Sequence, residues 1–131
     1  MKLVIIPGNG GCGRDMRGSN WYGWLETEME KKGHKLLGME GWPDPYVAKE
    51  SEWVPYLKNE IGVDDHTILI GHSSGVLAAM RLMEHTKVLG AILVSAAHTD
   101  LGDENERASG YFDRPWEWDK MVTNSKFIHV F

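Results

Sequence analysis

The chain has 131 residues, 42% of them hydrophobic and 25% charged, ordinary proportions for one soluble globular domain with a core of its own. Nineteen acidic against fourteen basic residues give a net charge of -5, and without a basic run this argues against nucleic acid and anionic membrane as main partners. One cysteine cannot form an internal disulfide, no apolar run approaches a bilayer span and the first is too short for a signal peptide, so a cytoplasmic home is expected.

Leu3 to Ile6 is a short apolar run, the pattern of a parallel strand covered on both faces. It ends in Pro7-Gly8-Asn9-Gly10-Gly11-Cys12-Gly13, where glycines let backbone N–H groups face a ligand, as an oxyanion hole or a phosphate cradle needs. Residues 8 to 13 also fit Gly-x-Gly-x-x-Gly, with Glu40 at the end of the next expected strand where a dinucleotide site wants its ribose-binding acid. Against that reading, Arg14 to Asn20 is a polar insert, so no helix opens at the third glycine to receive a pyrophosphate. Asn20 is the expected N-cap of a helix from Trp21 to Lys32, with Trp21, Trp24, Leu25 and Met29 on one face and Gly33 closing the end.

His34 to Met39 reads as a second strand, followed by the Trp42-Pro43-Asp44-Pro45 turn. A helix capped near Ser51 carries Trp53, Val54, Leu57 and Ile61, and Pro55 is tolerable only near its start. Thr67 to Ile70 is the third expected strand. It runs straight into Gly71-His72-Ser73-Ser74-Gly75 and then into the apolar stretch Val76 to His85, a buried helix. Strand, Gly-x-Ser-x-Gly and helix without spacers describe a nucleophile elbow. Ser73 is the candidate nucleophile, held in a strained backbone conformation. Gly71 and Gly75 are required because a Cβ at either would meet the neighbouring strand or helix. The N–H of Ser74, in the first turn of the helix, is a candidate oxyanion donor. The bland alternative is a glycine-rich strand-to-helix turn.

Gly90 to Ala96 is a fourth strand, Asp100 to Arg107 a polar loop, Pro115 to Asn124 a helix and Phe127 to Phe131 a fifth strand. Alternating strands and helices imply an α/β fold with a doubly wound, mostly parallel sheet, whose ligands gather at the carboxyl ends of its strands. If the first and third strands are neighbours, Asn9 or Gly10 N–H and Ser74 N–H converge on one oxygen. The histidines have plainer readings: His72 packs, and His98, near Asp100 just past the fourth strand, is a loop residue rather than a base. Asp103, Glu104 and Glu106 read as a solvated or capping loop, not as a metal site. No cofactor or metal is called for.

The segments Ile6-Pro7-Gly8-Asn9-Gly10-Gly11, Trp21-Tyr22-Gly23-Trp24, Pro43-Asp44-Pro45, Gly71 to Gly75, Asp100 to Phe112 and Arg114-Pro115-Trp116 together resemble the retinoblastoma-binding protein 9 family, serine hydrolases of the α/β-hydrolase fold. The resemblance spans residues 1 to 131 and implies that Ser73 is the nucleophile. It also implies small-molecule or short peptide-like acyl substrates, an ester, thioester or amide being cleaved through an acyl-serine intermediate. A Leu-x-Cys-x-Glu segment binds the retinoblastoma pocket in the family's namesake. Here the matching place reads Ile61-Gly62-Val63-Asp64-Asp65, which argues against pocket binding. In this family the triad acid follows the strand matching Phe127 to Phe131 and the histidine follows one more strand. The expectation is therefore a hydrolase domain incomplete at its C-terminus and lacking its last strand and helix, with hydrolysis impaired and self-association through the exposed final strand. The other readings are a non-catalytic partner-binding module derived from a hydrolase and, third, a dinucleotide-binding domain.

Overall fold

Apolar runs supply the strands. The computed structural model describes residues 1–131 and places β1 (Lys2–Ile6), β2 (Leu36–Leu37), β3 (Thr67–His72), β4 (Gly90–Val94) and β5 (Ile128–Val130) in one sheet of order β2-β1-β3-β4-β5. Every pairing is parallel, with Val4 opposite Leu69 and Ile70 opposite Ile92. Val4, Ile5, Ile6, Leu69 and Ala91 are fully buried, as central parallel strands must be when both faces are covered. The chain order changes direction between β1 and β3, which makes their carboxyl ends the expected place for a ligand. No helix is long and apolar enough to cross a membrane.

The helices are α1 (Tyr22–Lys31), α2 (Glu50–Pro55), α3 (Ser74–Met83), α4 (Glu104–Ala108) and α5 (Trp118–Thr123). Several depart from expectation. Asn20 is not the cap of α1: Trp21 takes that place, and Asn20 sits at φ 49°. The buried face of α1 carries Tyr22, while Trp24 points to solvent at 65% exposure. Gly23 sets that rotation, since a Cβ there would lie 2.4 Å from the Arg17 carbonyl oxygen. The second strand is only two residues long because Gly38 turns left-handed at φ 87°, its Cα facing the Ile5 carbonyl oxygen. Pro55 closes α2 rather than opening it, and the chain widens there into a π-helical turn over Tyr56–Ile61. A proline has no N–H for the ordinary helical bond, and its ring crowds the preceding turn.

α3 is buried along its whole length, including one charged residue that the apolar pattern does not announce. Arg81 is fully buried and spends every guanidinium N–H. Its Nη1 donates to Glu84 Oε1 and Oε2 at 3.0 and 2.8 Å and to the Pro115 carbonyl at 3.0 Å. Its Nε and Nη2 donate to the Tyr111 carbonyl, and Nη2 also reaches the Arg114 carbonyl at 2.7 Å. The Trp116 ring lies under the cation, 3.7 Å from centroid to Cζ. Glu84 in turn accepts the Glu117 N–H at 2.7 Å. This network holds residues 111–117 against α3. It also explains why the last helix starts at Trp118 and not at Pro115: carbonyls that would open the helix are already aimed at Arg81.

Asp100 to Arg107 is not all loop either. Asp103 accepts the Glu106 N–H at 3.0 Å and caps α4, whose Ser109 carbonyl then accepts the Glu50 N–H at 2.9 Å. At the other edge of the sheet β5 pairs only with β4. An apolar groove of about 310 Å³ opens beside it, lined by Met80, Met83, Leu93, Trp118, Val122 and Val130 among others.

Removing Arg81 leaves the buried Glu84 carboxylate with only the distant Arg114 cation, at 3.9 Å, and strands four carbonyl contacts. Arg81→Ala is expected to cost about 3–5 kcal/mol, read as a large fall in the thermal midpoint by circular dichroism. Tyr111→Phe is the opposite case. The Tyr111 hydroxyl is buried with no hydrogen-bond partner, and deleting such a group is expected to leave the midpoint unchanged or to raise it.

Candidate active site

The geometry of the site begins with one strained residue. β3 ends at His72, α3 begins at Ser74, and Ser73 between them has φ 55° and ψ −117°, a conformation that L-residues adopt only under constraint. Two close approaches supply it. A Cβ on Gly71 would lie 2.8 Å from the Gly75 carbonyl oxygen, and one on Gly75 would lie 2.0 Å from that of Ile6 and 2.7 Å from that of Pro7. The helix start is thus pressed against the end of β1, and the turn has no room to relax. The Ser73 side chain is exposed. Its backbone is tied down by Ser73 N–H to the Val94 carbonyl at 3.0 Å and by Val76 N–H to the Ser73 carbonyl at 2.9 Å.

The loop after β1 faces this turn. Gly8 lies against Ser73, the position of a Gly8 Cβ being 3.5 Å from Ser73 Cβ. Three of the loop's N–H groups are spent internally: Gly8 on Tyr22 Oη at 3.1 Å, Gly10 on the Tyr46 carbonyl at 3.1 Å and Gly11 on the Pro45 carbonyl at 3.0 Å. Gly10 is thereby removed as an oxyanion donor, because its N–H already shapes the loop. The N–H groups of Asn9 and Ser74 have no acceptor within the protein. Those two are the donors available to a developing oxyanion.

Two residues that sequence reasoning passed over hold these parts together. Tyr22, fully buried on α1, accepts the Gly8 N–H and meets His72 Nδ1 at 2.5 Å. The phenol O–H and the imidazole nitrogen thus share one hydrogen bond while the same oxygen receives the Gly8 N–H. Burial pushes the Tyr22 hydroxyl up to about 12 and the His72 ring down from its ordinary value, both in keeping with a neutral pair. A buried tyrosine hydroxyl needs a partner, which is the signal that would have singled out Tyr22. Glu106, expected on a solvated or capping loop, is half-buried: its Oε1 accepts from Asn9 Nδ2 at 2.9 Å and Ser74 Oγ at 3.3 Å. The spacing Asp103-x-x-Glu106, a helix-start signature, would have placed it.

The remaining candidates fall elsewhere. Asp100 is engaged by Gly102 N–H at 2.8 Å and Arg107 Nε at 3.1 Å, so no His98–Asp100 pair forms. The His98 carbonyl accepts from Trp116 and its ring meets Trp118 edge-on. Cys12 donates its thiol proton to the Gly8 carbonyl at 3.0 Å, and burial pushes that thiol up, away from nucleophilic character. For a dinucleotide, Gly13 offers no helix start: it belongs to a short 3₁₀ turn, Cys12–Arg14, packed on Trp42. Glu40 is held by Arg17 at 3.2 Å. Asp64, Asp65 and His66 form the one carboxylate-imidazole cluster with metal-ligand spacing, on an exposed turn where Asp64 already pairs with Lys2 at 2.8 Å.

A parallel sheet with a strained, exposed serine on the strand-to-helix turn beside β1 defines an α/β-hydrolase-type fold. The family model described as "Serine hydrolase" matches residues 3–123, and the chain belongs to that family. It is 50% identical to the serine hydrolase RBBP9 of Rattus norvegicus over 131 residues, covering 99% of this chain and 69% of that one. The crystal structure of the ydeN gene product from B. subtilis superposes with a TM-score of 0.78 at 24% identity, over 99% of this chain and 70% of that chain. The second likeness bears on the fold alone.

Gly75→Ala drives a Cβ into the Ile6 carbonyl and is expected to destabilise by more than about 3 kcal/mol, measured by denaturant unfolding. A milder test uses pH. His72 has its folded-state pKa lowered from 6.5 by burial, so the unfolded chain binds that proton more tightly. The corresponding stability is fully present above about pH 6.5 and is lost as pH falls toward the folded value. Thermal midpoints taken between about pH 7 and pH 5 should fall less steeply in His72→Gln than in the parent.

Proposed function

We propose that Ser73 is the nucleophile of an acyl-transfer site that cleaves small ester, thioester or amide substrates. The observation that carries the reading is the strained, exposed Ser73 with the unpartnered N–H of Ser74 directly after it. In the reaction Ser73 Oγ adds to the substrate carbonyl and its proton leaves to a base. The carbonyl oxygen becomes an oxyanion that Ser74 and Asn9 N–H groups stabilise. Collapse expels the protonated leaving group, and water releases the acid from the acyl-serine by the same steps in reverse roles. The position of Ser73 at the carboxyl ends of β1 and β3 supports this, since ligands of doubly wound sheets gather there and the turn is held by close main-chain contacts.

The proton acceptor is the weak point. No side chain among residues 1–131 is hydrogen-bonded to Ser73 Oγ, and the nearest imidazole in sequence, His72, is engaged with Tyr22 through Nδ1. A serine hydroxyl without a base in reach is a poor nucleophile. The 131-residue chain is therefore proposed to be impaired, retaining at most the roughly 10³- to 10⁴-fold acceleration that binding and an oxyanion hole give without a working triad.

A serine-reactive fluorophosphonate probe tests the assignment. Slow labelling confined to Ser73, abolished in Ser73→Ala with the thermal midpoint nearly unchanged, is the expected result. Undiminished labelling of Ser73→Ala would overturn it, and a folded chain wholly inert to the probe favours a non-catalytic partner-binding module. Saturable turnover of an activated ester that disappears in His98→Ala would instead overturn the proposed impairment.

A further inference from the structure

The carboxylate of Glu106 lies where the two arms of the proposed oxyanion hole meet, and its surroundings leave it little freedom. Its own N–H is taken by Asp103 Oδ1 at 3.0 Å, and its carbonyl accepts from the Ser109 hydroxyl and from the Ser109 N–H. Ser109 is buried, and through its carbonyl it is fastened to α2 at Glu50. From this fixed base one oxygen, Oε1, receives both the Asn9 side-chain amide and the Ser74 hydroxyl. Asn9 follows β1 and Ser74 opens α3. These are also the two residues whose backbone N–H groups are unpartnered at the site.

We infer that Glu106 is a positioning residue: a single carboxylate oxygen that clamps the side chains of Asn9 and Ser74 so that their backbone N–H groups stay aimed at one point. The inference rests on the reading of Ser73 as nucleophile. A lone hydroxyl or amide at this place has one strong acceptor to find, and sharing it ties two loops that are distant in sequence. Ionised acceptors make the stronger hydrogen bonds. The same negative charge close to a developing oxyanion is unfavourable, which separates the two effects experimentally. Glu106→Gln keeps an acceptor oxygen and removes the charge. Glu106→Ala removes both.

Labelling of the 131-residue chain is followed with a fluorophosphonate probe over a concentration series, giving the maximal rate and the half-saturating concentration separately, alongside the thermal midpoint of each variant. Glu106→Ala is expected to lower the maximal rate about tenfold, less than the 10²- to 10³-fold of a donor removed outright, with half-saturation unchanged. Glu106→Gln is expected to label at or above the parent rate. Asn9→Ala combined with Glu106→Ala should be no slower than Glu106→Ala by itself, because both sever one contact. The inference is overturned if Glu106→Ala labels at the parent rate, if Glu106→Gln is as slow as Glu106→Ala, or if the two alanine changes multiply. A parent chain unlabelled at Ser73 would sink the nucleophile assignment itself, and so differs from each of these results. Should Glu106→Ala fail to fold, Asn9→Ala and Ser74→Ala test the same clamp from the donor side, each expected to slow the maximal rate and to do so without multiplying.

Discussion

A guanidinium buried without solvent is tolerable only if every one of its protons finds an acceptor, and Arg81 meets that condition with Glu84 and three backbone carbonyls. The desolvation of two charges is large and an isolated buried pair is a weak source of stability. What the pair does is specify. The Tyr111, Arg114 and Pro115 carbonyls have no strand or helix to satisfy them, and unpaired buried carbonyls are costly, so residues 111–117 have one arrangement in which their backbone is paid for. That arrangement fixes the exit of α4, and α4 carries Glu106 to the mouth of the site. A charge on the inner face of one helix thus determines where a carboxylate from another meets the nucleophile turn.

Around the serine the constraint is of a different kind. Gly71 and Gly75 let main chain approach main chain, and the strained turn at Ser73 follows from those approaches. Tyr22 adds a bridge of hydrogen bonds from the Gly8 N–H to His72, so the loop after β1 and the end of β3 are coupled through one hydroxyl. Such coupling would suit the proposed oxyanion site, since donors already in place need no reorganisation.

Much of this was legible before any coordinates. β1, β3, α3 and the turn at Ser73 come from unbroken apolar runs and a glycine pattern with a steric reason, and local signals of that strength are seldom overridden. The doubly wound, mostly parallel sheet follows from the alternation of elements, whereas the neighbouring of β1 and β3 enters the sequence reading only as a condition and is supplied by the structure. Less legible was everything decided by one contact at long range. Arg81 lies in an otherwise apolar helix, and nothing local says that its charge is satisfied by carbonyls thirty residues on. The outward turn of Trp24 depends on Gly23 meeting Arg17, which periodicity ignores. β2 was read too long because its residues are apolar enough, while its length is set by Gly38 against β1. Asp103, Glu104 and Glu106 read as a solvated or capping loop, and the capping by Asp103 is found, but that Glu106 reaches Asn9 and Ser74 depends on contacts far off in sequence. Gly10 was offered as a donor because a glycine-rich loop shows many N–H groups, and which of them are free depends on where Pro45 and Tyr46 pass.

The contact of Gly75 with the Ile6 and Pro7 carbonyls carries a consequence for how such a chain can vary through descent. Where two backbones touch, there is no side chain whose replacement could be compensated by a neighbour, so position 75 has no alternative allele whatever else changes around it. Positions whose side chains do the fastening, such as Asn9 or Tyr22, admit exchange in concert with their partners. Drift in lineages of this fold should then be coupled around the rim of the site and frozen at its hinge, with the frozen position identified by a distance and not by any chemical role.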